Sequence, residues 1–249
     1  MRIIGIIPAR YASSRFPGKP LADIEGRSMI QRVYEQVKSC TSLSEVVIAT
    51  DDQRIADHVR LFAGNVIMTS DQHQSGTDRC SEVVKKISGF DVAINIQGDE
   101  PFINPLQIEL LCSLFNDQST DIGTLVKKIV DPEDLFNEDI PKVIFNTNQH
   151  ALYFSRQTIP FNRGETQDKW LARGNYYKHI GMYGYRVEIL KRITEIPVST
   201  LEKSEALEQL RWLENGYTVK VAQTEHDTIA VDRPEDIDLI RKRYFNREI

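Results

Sequence analysis

The chain has 249 residues, of which 41% are hydrophobic and 27% charged, with a formal net charge of −5. This composition fits a globular chain with a substantial core, as one large domain or a domain with a sizeable insertion, and its acidic balance argues against nucleic acid as a partner. Three cysteines without a CxxC pair and five histidines without an HExxH motif point to neither a disulfide framework nor a zinc site, and a reducing cytoplasm is the expected compartment.

The opening apolar run ends at Pro8, about six residues along, which is too short for a signal peptide. No stretch nears the roughly 18 apolar residues that span a membrane. Residues 3–7 read as a short strand buried on both faces. Met29, Ile30, Val33 and Val37 share one helical face, with Ser28 as N-cap. Residues 45–50 form a second strand, and Ile55, Val59 and Phe62 suit the helix after it. A strand at 65–68, a helix at 78–87, a strand at 91–96 and a helix at 106–115 follow. This alternation predicts a mostly parallel sheet flanked by helices, an α/β fold.

After about residue 120 the pattern changes. Residues 122–129, 142–146, 151–154 and 179–185 read as strands with few long helices between them, a smaller and partly antiparallel insertion. Helical spacing returns at Leu207, Leu210 and Leu213, and 218–222 reads as a strand. Pro234, Glu235 and Asp236 mark the start of a last helix whose buried face carries Ile237, Ile240 and Tyr244.

The segment after the first strand reads PARYASSRFPGKP (residues 8–20). Its Gly18-Lys19 pair is followed by Pro20, and Ser13 stands where a P-loop needs its earlier glycine, so the Walker pattern fails. Arg10, Arg15 and Lys19 nevertheless put three cations beyond the carboxyl end of a strand, where open α/β sheets bind ligands. They can meet several anionic oxygens, and Gly18 permits close backbone approach to a phosphate. The plain alternative is a solvated basic turn. Asp99 in QGDEP and Asp232 in AVDRPED both follow apolar strands and suit a hard cation such as magnesium. A Gly-Asp turn and a helix N-terminal acid are the respective alternatives. Ser75-Gly76-Thr77 opens a helix and can read a base edge or simply cap the helix, with Arg79 in reach of a phosphate. His179 and Tyr183 lie on a strand and suit an acidic substrate or a structural role. Glu205, Glu208 and Gln209 share a helix, and composition assigns them no task.

PARYASSRFPGKPL, HQSGTDR, NIQGDEP, ALYFSRQTIP, HIGMYGYR, LEQLR and VDRPED, in this order from residue 8 to residue 236, together resemble the 3-deoxy-manno-octulosonate (Kdo) cytidylyltransferases, or CMP-Kdo synthetases. Two positions depart from the common motifs: Asp78 replaces a glutamate, and Arg233, beside Asp232, replaces a threonine. The resemblance implies a Rossmann-like nucleotide-diphospho-sugar transferase fold. Its nucleotide-binding core would cover residues 1–126 and 196–249, and an inserted sugar-binding and dimerisation subdomain 127–195. It implies that CTP and Kdo yield CMP-Kdo and diphosphate with Mg2+, in a homodimer serving lipopolysaccharide synthesis. Pro8, Ala9, Arg10, Arg15, Lys19, Ser75, Gly76, Arg79 and Gln97 would hold CTP, and Asp99 and Asp232 the magnesium. Gln97, Arg156, His179, Tyr183, Glu208 and Gln209 would form the sugar-acid pocket. Lys19, Arg15, Asp99 and Asp232 would carry catalysis. A sialate or 8-amino-Kdo cytidylyltransferase and a catalytically silent CTP sensor are the rivals, and the absence of GxGxxG after the first strand disfavours a dinucleotide oxidoreductase.

Overall fold

The computed structural model describes residues 1–12, 15–227 and 229–245. The chain divides into two compact units, Met1–Cys112 with the chain from Asp227 onward, and Ser113–His226.

The first unit begins with β1 (Ile3–Ala9), the two-residue strands β2 (Asp23–Ile24) and β3 (Arg27–Ser28), and α1 (Met29–Lys38). It continues through β4 (Glu45–Thr50), α2 (Gln53–Leu61), β5 (Val66–Met68), α3 (Gly76–Lys86), β6 (Val92–Asn95) and α4 (Pro105–Ser113). Strands β6, β1, β4 and β5 pair in that order, all parallel. Ile4, Ile6, Ile7, Ile48 and Ile94 are fully buried, which explains why these strands read as continuous apolar runs. Burial of each such side chain contributes roughly 1.5–3 kcal/mol. In α1, Met29, Ile30, Val33 and Val37 face the core as their spacing predicts, and Ser28 Oγ accepts the Gln31 N–H at 3.3 Å.

The second unit contains β7 (Ile122–Lys128), α5 (Pro132–Phe136), β8 (Lys142–Phe145), β9 (Ala151–Ser155), α6 (Trp170–Arg173) and β10 (Tyr177–Arg186). Helices α7 (Val187–Ile193), α8 (Thr200–Glu205) and α9 (Gln209–Glu214) and strand β11 (Val219–Gln223) complete it. β7 lies between antiparallel β10 and parallel β11, and β8 pairs antiparallel with β9 and β10. This unit is wider than the insertion expected at 127–195, because the β7–β11 pairing ties 122–128 to 219–223 within it.

The single helix expected to carry Glu205, Glu208 and Gln209 is broken: α8 ends at Glu205, α9 starts at Gln209 with Glu208 as its N-cap, and Leu207 lies in the turn between them. Ala206 takes a left-handed conformation (φ 50°) and ends α8. The last helix, α10 (Asp236–Phe245), belongs to the first unit and starts two residues after Pro234. Ile237 and Ile240 are buried there, whereas Tyr244 is 36% exposed and stacks on Phe102 instead of entering the core. No helix among the described residues is long and apolar enough to cross a membrane.

Candidate functional site

A cleft of about 400 Å³ opens at the carboxyl end of β1, within the first unit. Its walls include Pro8, Ala9, Arg10, Arg15 and Lys19 from the basic loop, Gly76 from the start of α3, and Gln97 and Asp99 from the loop after β6. Local geometry explains the loop. Gly18 adopts φ 73° and donates its N–H to Tyr11 O at 2.9 Å. A Cβ on Gly18 would stand 3.1 Å from the Tyr11 ring, itself covered by the Arg54 guanidinium 3.3 Å from its centroid. The chain then makes one 3-10 turn, Lys19–Leu21.

That turn sends Lys19 inward. Its Nζ donates to Asp99 Oδ2 at 2.8 Å and to Val231 O at 2.7 Å, and lies 3.7 Å from Asp232 Oδ1. Arg15 Nη2 reaches the same Asp232 oxygen at 3.1 Å. The two aspartates, 133 positions apart in sequence as their numbers 99 and 232 give, thus share one cation. The carriers of these side chains are tied by main-chain bonds. Val231 N donates to Asp99 O at 2.9 Å, and Asp236 Oδ2 accepts the N–H groups of Asp232 at 2.7 Å and Arg233 at 2.8 Å. Gly98 was not singled out by its sequence, yet a Cβ there would lie 2.6 Å from Pro8 O. Only the tight Gly-Asp turn of QGDEP hinted at that approach. Two carboxylates around one cationic point fit magnesium, which takes one or two carboxylates and leaves its other positions to water or phosphate. No cluster of three or more His, Cys, Asp or Glu capable of holding a metal occurs among the described residues.

Arg10 Nη2 donates to Gln74 O at 2.8 Å, linking the basic loop to the segment before α3. Ser75 is the N-cap of α3. Its Oγ accepts Asp78 N at 3.1 Å, and Asp78 Oδ2 accepts Ser75 N at 3.1 Å. Asp78 therefore completes the capping box that a glutamate otherwise supplies, and the departure from the motif is accommodated locally. Arg79 requires a correction. It is fully buried, with Nη2 3.3 Å from Asp51 Oδ1 and Nη1 donating to Thr69 Oγ1. Helix α3 turns this side chain inward, where burial lowers its pKa, and no part of it is exposed to meet a phosphate.

The remaining expected residues lie in the second unit. Arg156 gives its guanidinium to three carbonyls: Glu205 O at 2.7 Å, Glu138 O at 3.0 Å and Ala206 O at 3.3 Å. A bulge in β10 between Ile180 and Tyr183 sets His179 opposite Val126 and Tyr183 opposite Thr124, so both fall on one face. Their ring centroids are 5.1 Å apart. His179 Nε2 is 2.9 Å from Thr124 Oγ1, and burial pushes its pKa down to about 3, so the ring is neutral. Burial and the nearby Glu208 carboxylate raise the Tyr183 pKa. Glu208 also lies 3.5 Å from Arg211 Nη2. Gln209 opens α9 and is 4% exposed. Among the described residues, the Tyr183 hydroxyl and Gln209 Nε2 are buried without a hydrogen-bond partner, and such groups call for a polar ligand or water.

A parallel sheet whose first loop places three basic side chains in one cleft, two of them paired with Asp99 and Asp232, defines a nucleotide-handling α/β protein. The cytidylyltransferase family matches residues 4–227, and the chain belongs to that family. A 3-deoxy-manno-octulosonate cytidylyltransferase of Parabacteroides distasonis is 57% identical, covering 96% of both chains. Its counterpart in Bacteroides thetaiotaomicron is 54% identical, covering 99% of this chain and all of its own. Among solved structures, a CMP:2-keto-3-deoxy-manno-octonic acid synthetase complexed with CTP superposes with a TM-score of 0.92 at 40% identity, covering 99% of each chain.

Proposed function

We propose that this cytidylyltransferase activates Kdo: CTP and Kdo yield CMP-Kdo and diphosphate, in a magnesium-dependent reaction that feeds lipopolysaccharide synthesis. The observation that carries the reading is the meeting of Arg10, Arg15, Lys19 and Asp99 in one cleft, with Asp232 paired to Arg15 and Lys19 at its edge. The names of the full-length relatives support the choice of nucleotide and sugar.

Charge explains the need for such a cleft. CTP carries about four negative charges and Kdo a carboxylate, and each pair of like charges about 4 Å apart costs roughly 4 kcal/mol at an effective dielectric near 20. Arg10, Arg15 and Lys19 offset this repulsion and hold the triphosphate, while Pro8, Ala9, Gln97 and the main chain at Ser75-Gly76 line the nucleotide's bed. Asp99 and Asp232 would hold magnesium. When bound, the ion supplies charge neutralisation at the α-phosphate and lowers the pKa of the attacking C2 hydroxyl of Kdo. Lys19 and Arg15 stabilise charge that grows on the phosphates as diphosphate departs. In the second unit, Arg156 meets the sugar-acid carboxylate, and the unpartnered Tyr183 hydroxyl and Gln209 amide, with Glu208 and neutral His179, meet sugar hydroxyls. The same reading makes the protein a cytoplasmic homodimer, for which exposed Leu152 and Phe161 of the second unit offer apolar surface.

Diphosphate release with CTP and magnesium tests the reading, with Kdo, 8-amino-Kdo and N-acetylneuraminate as acceptors and UTP as the nucleotide control. Release with CTP and Kdo alone is the expected outcome. Preference for the amino sugar moves the acceptor and keeps the reaction. Release with none of the acceptors, despite CTP binding, overturns the proposal in favour of a CTP sensor.

A further inference from the structure

Glu205 is the last residue of α8, and its half-buried carboxylate gathers the end of β9. Oε2 accepts the Arg156 main-chain N–H at 2.9 Å. Oε1 accepts the Ser155 hydroxyl at 2.8 Å and the Tyr153 hydroxyl at 3.5 Å. The bond is returned, because Arg156 Nε donates to the Glu205 carbonyl at 2.7 Å. Residues 156 and 205 are thus joined side chain to main chain in both directions, across 49 positions of sequence. A guanidinium has five N–H groups; with Nε on Glu205 O, Nη1 on Glu138 O and Nη2 on Ala206 O, one N–H remains on each terminal nitrogen of Arg156.

The chain beyond Glu205 is equally constrained. Ala206 takes φ 50°, so the helix stops, and Glu208 and Gln209 follow within four residues of the clasp. Helix α8 is fixed at its other end by the Ser199–Glu202 capping box, and Glu202 receives Arg211 of α9 at 2.8 Å. The turn between the helices therefore hangs between two charged anchors, of which Glu205 is the one bonded to Arg156.

We infer that Glu205 is the positioning residue of the sugar-acid site: it aims the free N–H groups of Arg156 and sets the turn that presents Glu208 and Gln209, without itself touching the sugar. The inference rests on the reading that a sugar acid binds those three residues. It separates this glutamate from the solvated acids around it in LEKSEALEQLR, which composition treats alike.

The test measures diphosphate release by the full chain with Kdo varied at saturating CTP, then with CTP varied, for wild type, Glu205→Ala and Glu205→Gln. Glutamine keeps an acceptor for the Arg156 N–H and can donate to the Ser155 hydroxyl, so it restores part of the clasp. Loss of a charge-assisted bond predicts a KM for Kdo raised about 10- to 100-fold in Glu205→Ala and about 3- to 10-fold in Glu205→Gln, with KM for CTP within about twofold of wild type. A general structural role would move both KM values and kcat together. An unchanged KM for Kdo in Glu205→Ala, or parallel losses toward both substrates, overturns the inference. If the alanine variant does not fold, Glu205→Gln decides, and a change in its KM for Kdo below about twofold overturns it. A wild-type chain that releases no diphosphate with Kdo overturns the substrate reading and the inference with it, whereas an active wild type with insensitive variants removes the inference alone.

Discussion

Lys19→Met keeps the length of the side chain and deletes the ammonium that stands 2.8 Å from Asp99 and 3.7 Å from Asp232. Those two legs laid end to end hold the carboxylate oxygens within about 6.5 Å of each other, where two bare charges repel by roughly 2.5 kcal/mol at an effective dielectric near 20. A divalent cation would relieve that repulsion without having to compete with a fixed ammonium for the same oxygens. Asp232 is 48% exposed and keeps Arg15 at 3.1 Å, so solvent and this second cation screen part of the effect. The net expectation is Mn2+ binding about 10- to 100-fold tighter in Lys19→Met than in wild type, without nucleotide present. Turnover with CTP is expected to fall by about two orders of magnitude or more, because the variant lacks the cation that stabilises the departing phosphates. Calorimetry or electron paramagnetic resonance reads the first quantity and diphosphate release the second. The opposite signs make the argument refutable: Mn2+ binding that is unchanged or weaker in Lys19→Met would mean that ammonium and metal do not share these oxygens.

Asp99→Asn and Asp232→Asn should each lower turnover by about two to four orders of magnitude at unaltered far-ultraviolet circular dichroism; near-normal turnover in either removes that residue from the metal site. Gly98→Ala forces a Cβ to within 2.6 Å of the Pro8 carbonyl. It should cost about 1–3 kcal/mol in thermal unfolding and raise KM for CTP by shifting the loop, and an unaffected melt would show that the loop relaxes freely. His179 is held neutral by burial with its pKa down to about 3. Its folded value lies below the unfolded one, so its contribution to stability is full above the unfolded value near 6.5 and is lost as pH falls toward 3. Between pH 6.5 and 5 the wild type should lose roughly 1 to 2 kcal/mol that His179→Gln retains. Glu82, with its pKa lowered to about 2, acts in the same direction but in a more acidic window, below its ordinary value of 4.5. Denaturant unfolding at several pH values separates the two, and equal slopes for wild type and His179→Gln above pH 5 would refute the burial argument.

The parallel part of the fold was legible because its strands are buried on both faces and leave an uninterrupted apolar signature. β1, β4 and β6 fall inside or within a residue or two of their expected spans. The second unit was less so. β10 carries a bulge that no periodicity records, α8 and α9 are separated by a three-residue turn that a left-handed alanine opens, and the β7–β11 pairing spans nearly a hundred residues. Hydrophobic patterns report which face of an element is covered, not which distant element covers it.

The same limit explains how the expected site residues divided. Arg10, Arg15, Lys19 and Asp99 could be read from position alone, since loops at the carboxyl ends of adjacent parallel strands must open toward one place, whereas Gln97 in the same cleft came from the resemblance. Asp232 was expected after a strand, but among the described residues no strand lies between β11 and α10; it is brought to Lys19 by the Val231–Asp99 main-chain bond and by Asp236 folding back on its N–H. Arg79 and Arg156 define the boundary. Each is an arginine in a distinctive motif, and each resembles a ligand for an anion. Arg79 sits a turn into α3 on its inner face, so the geometry of the helix commits its charge to Asp51. Arg156 follows a strand end, where three carbonyls leave it two N–H groups to offer. Which of these outcomes a basic residue meets depends on the acceptors that already claim its donors. Those acceptors come from segments far along the chain, and this is why the cationic character of the site is written in the sequence while the free valence of each cation is not.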